Sequence, residues 1–464
     1  MSKLWGGRFD KKSDPLADLF TFSISYDHRL AKYDVVGSIA HAQMLSKQGI
    51  ISKSDGAKII AGLKKILLQI EAGIFKFDPK AEDIHTDIQN RLKALIGKPA
   101  DKLHTARSRN DQVVLDMKLY CRDEIVKLLS AVANLQESIL DFANKNKDVI
   151  FPAYTHLQAA QVVLLAHHML AYVEMLERDK TRLIDCAKRT DFMPLGSCAL
   201  SGTSLKTDRA YLAKLLGFSK IAPNSMDAVS DRDFIIELIS VCACVSTHLS
   251  RVAEDLILWS TKEFDLVDID SSFCTGSSIM PHKKNPDVLE LVRGSSAKII
   301  GNLTQIHVLL KGLPLTYNRD LQLDKPALFD SVDTTKNMLM VLSKIFASLK
   351  VKKDNAAKRV LDESFFTVDV MDYLVKKGVS NRDAHDILGR MVKDCLDQGK
   401  AISSLTWREL KQYSTLFDVD VKKLFNPQMS VKIKFSSGST NPVLVKKQLE
   451  KWTTSLRSDE AIPN

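Results

Sequence analysis

The residues able to do chemistry in this chain cluster in a few polar segments that flank long stretches free of glycine and proline. The densest is Thr275-Gly276-Ser277-Ser278-Ile279-Met280-Pro281-His282-Lys283-Lys284-Asn285-Pro286. Small residues leave the backbone mobile there, and hydroxyls, two ammonium groups and an amide converge beside a predicted helix start. A helix N-terminus carries about half a positive charge and free N–H groups, so this segment suits an anion. Arg107-Ser108-Arg109-Asn110-Asp111 opens another predicted helix with two arginines able to fork a carboxylate. Tyr154-Thr155-His156-Leu157-Gln158 places a histidine at what reads as the start of a second long helix. Tyr317-Asn318-Arg319-Asp320-Leu321-Gln322-Leu323-Asp324-Lys325 is a polar run entering the last one. Taken singly, each has a bland alternative: a solvated loop, a salt-bridged turn or a structural histidine. Dinucleotide, Walker and nucleophile-elbow glycine motifs are absent, as is any Cys/His set at metal spacing. Hydride transfer, nucleotide hydrolysis and zinc chemistry therefore have no support in the sequence.

The elements that must position these segments are long helices. Neither glycine nor proline occurs from Ala100 to Phe151, from Ala153 to Met193 or from Asn224 to Thr275. The third stretch contains Leu238, Cys242, Val245, Leu249, Val252, Leu256 and Trp259, alternately four and three apart, which is the seam of helices packed along their length. Apolar residues off the seam, among them Ile235, Ile239 and Val241, argue for burial on more than one side. Further long helices are predicted to start at Asn285-Pro286-Asp287 and at Asp324-Lys325-Pro326, the latter running towards Leu349. Two shorter helices end at Gly49 and Gly73; another ends near Gly378, and the next begins at Ser380-x-x-Asp383. The expected fold is all-α with almost no strand. A central bundle of about five long helices is flanked by two smaller helical domains, divided as 1–106, 107–360 and 361–464. The polar tail from Thr453 to Asn464 is expected to fray.

Composition narrows the class. Of 464 residues, 45% are hydrophobic and 26% charged, which is globular. The net charge of +10 is spread over scattered lysine doublets such as Lys64-Lys65, Lys283-Lys284 and Lys446-Lys447, a pattern that favours small anions over nucleic acid. Seven cysteines without framework spacing point to a reduced, cytoplasmic compartment. Cys242 and Cys244 sit two apart and face different sides of a helix, so they read as core rather than ligands. Met1 to Lys12 has no apolar targeting core, and no uncharged apolar stretch is long enough to span a bilayer, so no membrane partner is expected.

Together the segments carry a resemblance. Gly276-Ser277-Ser278-Ile279-Met280-Pro281-x-Lys283-x-Asn285-Pro286 resembles the signature loop of the fumarase/aspartase superfamily, whose enzymes release fumarate from succinyl adducts by elimination. Leu4-Trp5-Gly6-Gly7-Arg8-Phe9, Glu82-Asp83-Ile84-His85, His104-Thr105-x-Arg107-Ser108-Arg109-Asn110-Asp111-Gln112, Tyr154-Thr155-His156-Leu157-Gln158, Asp227-Ala228-Val229-Ser230-Asp231-Arg232-Asp233-Phe234 and Tyr317-Asn318-x-Asp320-Leu321-Gln322-x-Asp324-Lys325 are similar to its argininosuccinate lyase branch. Position 282 is His where that branch usually has Gln, and Gln89-Asn90 stand for Glu-Arg. The C-terminal Ser436-Ser437-Gly438-Ser439-Thr440-Asn441-Pro442 is a loose match.

The resemblance implies cleavage of argininosuccinate to arginine and fumarate, as a step of arginine biosynthesis, without metal or organic cofactor. It makes Ser277 the base, helped by Lys283, and His156 the group that serves the leaving nitrogen, oriented by Glu290; the reverse assignment of acid and base stays open. Ser23, Asn110, Thr155, Asn285, Tyr317, Gln322 and Lys325 map onto substrate-binding or charge-stabilising positions, and Arg109 and Arg232 are added as carboxylate partners. Rival readings are a sister lyase acting on adenylosuccinate, malate or aspartate, and a catalytically silent relative like those of the eye lens. The resemblance also implies a homotetramer, and one chain's geometry points the same way. A helix from Asn110 to about Asp148 would be roughly 57 Å long. A short connection would then start the next helix, with His156, at its far end. Asn110 and His156 of one chain then lie too far apart for one small substrate. A second copy must supply one of them, and the Leu238–Trp259 seam offers a surface for association.

Overall fold

The computed structural model describes residues 13–459; the Leu4–Phe9 segment lies outside them. The fold is all-α in class. Five long helices, Arg109–Lys145, Leu165–Thr190, Asp233–Ser260, Asp287–Leu310 and Asp324–Ser348, occupy the middle of the chain. Shorter helices precede and follow them with the expected punctuation. Gly49 and Gly73 take φ of 69° just past Ala31–Lys47 and Lys53–Glu71, as the left-handed end of a helix requires. Ser380 caps Asn381–Asp397 by accepting from Asp383 N.

The chain divides into two compact units, each containing part of every long helix. One comprises Met1–Ser130, Asp179–Ser246 and Ser295–Lys336. Here Ala31–Lys47, Lys53–Glu71 and Ile84–Ile96 pack through Leu45, Ile59, Leu63, Ile88 and Leu92, all buried. Gly62 permits the close approach, since a β-carbon there would lie 2.6 Å from Leu92 Cδ1. The Tyr120 ring meets Phe329 edge-on at 4.8 Å, joining the first and last long helices. The other unit comprises Ala131–Arg178, Thr247–Gly294 and Asn337–Asn464. Its long-helix segments pack through Phe142 against Phe346, and its C-terminal helices close over Val370, Leu374, Leu388, Met391 and Phe417.

Three sequence expectations need correction. The strand content is small, but one piece of it matters: Ile150–Thr155 and Gln158–Leu164 form an antiparallel hairpin, so His156 lies on its tip and the second long helix starts only at Leu165. Phe151 packs edge-on to Trp259 at 4.9 Å, and Val162 joins a core with Phe365, Phe366 and Val431; these contacts hold the segment extended. The Leu238–Trp259 seam is fully used within the chain, from Leu238 at 0% exposure to Trp259 at 4%, and is therefore no surface for a second copy. Of the Thr453–Asn464 tail, residues 453–459 are helical and complete the helix Pro442–Asp459, whose apolar face buries Val445, Leu449 and Trp452, with Trp452 Nε1 donating to Glu174 Oε1 at 3.1 Å; residues 460–464 lie outside the described residues.

Asp233–Ser260 is also the one helix among the described residues that is long and apolar enough to cross a membrane. More than half of its apolar stretch is buried inside the chain, as befits a bundle's core helix.

Candidate active site

The candidate residues fall into two groups, one in each unit. The first unit gathers Ser23, Arg109, Asn110, Arg232, Tyr317, Gln322 and Lys325. The 317–325 segment is tied to residues 21–23 and 82: Gln322 Nε2 and Arg319 Nη2 both donate to Thr21 O at 2.9 Å, and Arg319 Nη2 also reaches Glu82 Oε1 at 2.9 Å. Ser23 N donates to Glu82 O at 2.9 Å, and Ser23 Oγ donates to the buried Asp27 carboxylate at 2.6 Å. Asp27 in turn accepts from Ile84 N, so Ser23 is held against the start of Ile84–Ile96.

Arg109 spreads its guanidinium over Asp83, Gln112 and Thr86, at 3.1–3.3 Å. Next to it, Asn110 Nδ2 donates to Ala199 O at 3.0 Å. The Ala199 loop is fixed by the buried Asp111, which accepts from Gly196 N and Cys198 N. Burial outweighs those bonds and pushes the Asp111 carboxyl up to about 6. Arg232 is 1% exposed and does not face solvent as a carboxylate receptor would. It donates to Asp324, whose other oxygen accepts from Lys325 Nζ at 3.0 Å, so Arg232 reaches Lys325 only through Asp324. Arg232 and Asp324 are 92 positions apart, and no local pattern could have paired them.

One buried cluster escaped the sequence reading altogether. Asp34, His85 and Asp116, from three helices, bring ligand-type atoms within 4.8 Å of one another. His85 Nδ1 lies 3.2 Å from Asp34 Oδ1 and 3.3 Å from Asp116 Oδ2, and Gln112 donates to Asp34. Burial pushes the Asp116 carboxyl up, reinforced by Asp34, while the bond and charge of His85 hold Asp34 down against its own burial. The Arg107 charge opposes the rise at Asp116, and both Asp116 carboxylate oxygens are buried without a hydrogen-bond partner among the described residues. The only sequence signal was His85 itself, within the Glu82-Asp83-Ile84-His85 segment.

The second unit holds Thr155, His156, Ser277, Lys283, Asn285 and Glu290. Thr155 and His156 are exposed on the hairpin, and the two-residue turn sets His156 at φ 54° and Leu157 at φ 57°. That is the type I′ geometry two-residue hairpins favour, but without the Asn or Gly that makes it easy. The signature segment is a loop pinched at its base, where Thr275 and Asn285 exchange main-chain hydrogen bonds at 3.0 and 2.8 Å. Within it, Ser277 Oγ accepts from Ile279 N at 3.3 Å and Met280 N at 3.1 Å. Lys283 and Glu290 are exposed, and among the described residues Lys283 Nζ has no hydrogen-bond or ion-pair partner and Glu290 none with His156.

A family described as "Lyase" matches residues 7–301, and one described as "Argininosuccinate lyase C-terminal" matches residues 366–432. The argininosuccinate lyase of Desulforamulus reducens is 47% identical over 98% of this chain and 99% of its own length. The chain belongs to the argininosuccinate lyase family. Its relative from Symbiobacterium thermophilum is 49% identical over 97% of each. Among solved structures, an EDDS lyase variant with bound fumarate superposes with a TM-score of 0.84 at 26% identity, covering 97% of this chain and 92% of that one. The C-terminal match ends at residue 432, just before the loosely matching Ser436–Pro442 segment.

Proposed function

We propose that this member of the family cleaves argininosuccinate to arginine and fumarate by base-catalysed elimination, at sites shared between copies of a cytoplasmic homotetramer. The curated relatives carry that enzyme's name over nearly their full length. Ser277 takes the proton from the carbon next to a succinyl carboxylate. The electron pair left behind enters that carboxylate and forms a doubly charged aci-carboxylate. Its collapse makes the fumarate double bond and breaks the carbon–nitrogen bond, and the guanidino nitrogen takes up a proton at His156. Lys283, Asn285 and the amides opening Asp287–Leu310 stabilise the intermediate more than the ground state.

The observation that most supports Ser277 as base is the pair of amide N–H groups on its Oγ, since donors to the charged form favour alkoxide over hydroxyl. Glu290 orients His156. Ser23, Asn110, Thr155, Tyr317, Gln322 and Lys325 bind substrate with Arg109, and Arg232 acts through Asp324 to hold Lys325. The division into 1–106, 107–360 and 361–464 then assigns the base loop and His156 to the middle domain.

Helix length supports sharing. Asn110 opens a helix that runs unbroken for 37 residues, roughly 55 Å, and His156 sits in the hairpin after its far end. The test is complementation. Inactive Asn110→Ala and His156→Asn proteins are dissociated, mixed and reassembled, and fumarate release from argininosuccinate is followed by ultraviolet absorbance. Recovered activity is expected, because some sites receive both native residues. Hybrid tetramers that stay dead would reject sharing, and wild-type protein releasing no fumarate would reject the lyase reading itself.

A further inference from the structure

The hairpin carrying His156 borders a cleft of about 590 Å³, a size that suits a small ligand. Its walls are largely apolar and aromatic, with Tyr154, Leu258, Trp259 and Phe264 facing in. Two polar side chains, Asp255 and His168, also line it, each partly exposed. Asp255 Oδ2 accepts from His168 Nε2 at 2.9 Å and from the Tyr172 hydroxyl, while Oδ1 accepts from no described residue. The His168 ring is itself held edge-on by Trp259 at 4.9 Å between centroids. Although burial opposes it, these two bonds keep the Asp255 carboxyl below its usual range, so the cleft contains a fixed negative charge. The Arg251 charge, on the preceding turn of the same helix, adds to that effect.

A carboxylate oriented through one oxygen and free at the other, set among aromatic faces, complements a planar cation. A guanidinium can donate to Oδ1 while stacking its plane on a ring, whereas an ammonium can donate to Oδ1 but has no plane to stack. We propose that this cleft binds guanidinium compounds, and that free arginine occupies it after leaving His156 at the cleft's rim. The proposal rests on the lyase reading for its choice of arginine. Binding here makes and breaks no covalent bond. It keeps the product beside the hairpin, so arginine acts as an inhibitor through Asp255.

The experiment titrates the purified enzyme with L-arginine by calorimetry and tryptophan fluorescence, with L-citrulline as the uncharged control of similar shape. Arginine is expected to bind at least about tenfold more tightly than citrulline, and Asp255→Asn to weaken it about tenfold to a hundredfold. Fumarate release by Asp255→Asn without added arginine stays at the wild-type rate, and its inhibition by arginine is relieved. Phe264→Leu, which changes no charge, weakens arginine binding severalfold and gives a second reading should Asp255→Asn fold poorly. Equal binding of citrulline, no binding of arginine, or arginine binding untouched by both substitutions overturns the site. These outcomes are separable from the lyase reading, which stands or falls on fumarate release by the wild type.

Discussion

His41 gives the chain a built-in acid sensitivity whose size follows from its surroundings. It is 1% exposed on Ala31–Lys47, and its Nε2 lies 2.9 Å from Thr105 O, in the turn that leads into Arg109 and Asn110. Nδ1 has no partner. Burial and then the neighbouring Arg107 charge push the imidazole down to about 3, against the opposing pull of the Thr105 carbonyl. An unfolded histidine titrates near 6.5, so between that value and 3 the unfolded chain binds a proton that the folded chain refuses. Stability from this residue is intact above pH 6.5 and declines as pH falls. At about 1.4 kcal/mol per pH unit, the loss at pH 5 is about 2 kcal/mol. His104, pushed down to about 3 by burial and by Arg107, adds a parallel loss. His41→Gln keeps an amide donor for Thr105 O but cannot titrate. Urea denaturation of both proteins at pH 7 and pH 5 isolates the effect, because His104 contributes equally to each. The variant starts less stable at pH 7, through poorer packing, yet loses about 2 kcal/mol less on acidification. Parallel losses in the two proteins would refute the reasoning.

Two further outcomes concern the reaction itself. Ser277→Ala should lower turnover by about 10²–10⁴-fold with KM little changed, and near-normal turnover measured by fumarate absorbance would remove Ser277 as the base. Glu290→Gln and His156→Asn should combine to little more than the larger single loss, since a carboxylate acting only through the imidazole has nothing left to do once the imidazole is gone; fully additive losses would mean separate roles.

The long helices were legible because their signal is an absence: without glycine or proline, nothing interrupts them for dozens of residues. The caps at Gly49, Gly73 and Ser380 were legible because their chemistry is local. The hairpin was not. Its second strand, Gln158–Leu164, ends in Val162-Val163-Leu164 and runs straight into an apolar helix, and a short apolar run reads the same in either state. Its turn carries none of the usual residues, since His156 and Leu157 occupy positions that Asn or Gly fill far more easily. The heptad seam revealed that Leu238 to Trp259 is buried but not by what, and the chain's own interior proved sufficient.

What stayed hidden in the site is of one kind. Arg232 with Asp324, and Asp34 with His85 and Asp116, are buried ionisable groups whose partners come from distant segments. Taken alone, each charged residue at these depths argues against burial. Each becomes tolerable only once the fold supplies the opposite charge, so no window of sequence can reveal it. The local rules thus fail at the left-handed turn under His156 and at the ion clusters beneath Ser23, Asn110 and Lys325. A left-handed leucine and fully buried carboxylates are both costly, and neither improves the packing of the helices around it. Their common feature is adjacency to the residues proposed to bind substrate, the place where departures from local rules are expected.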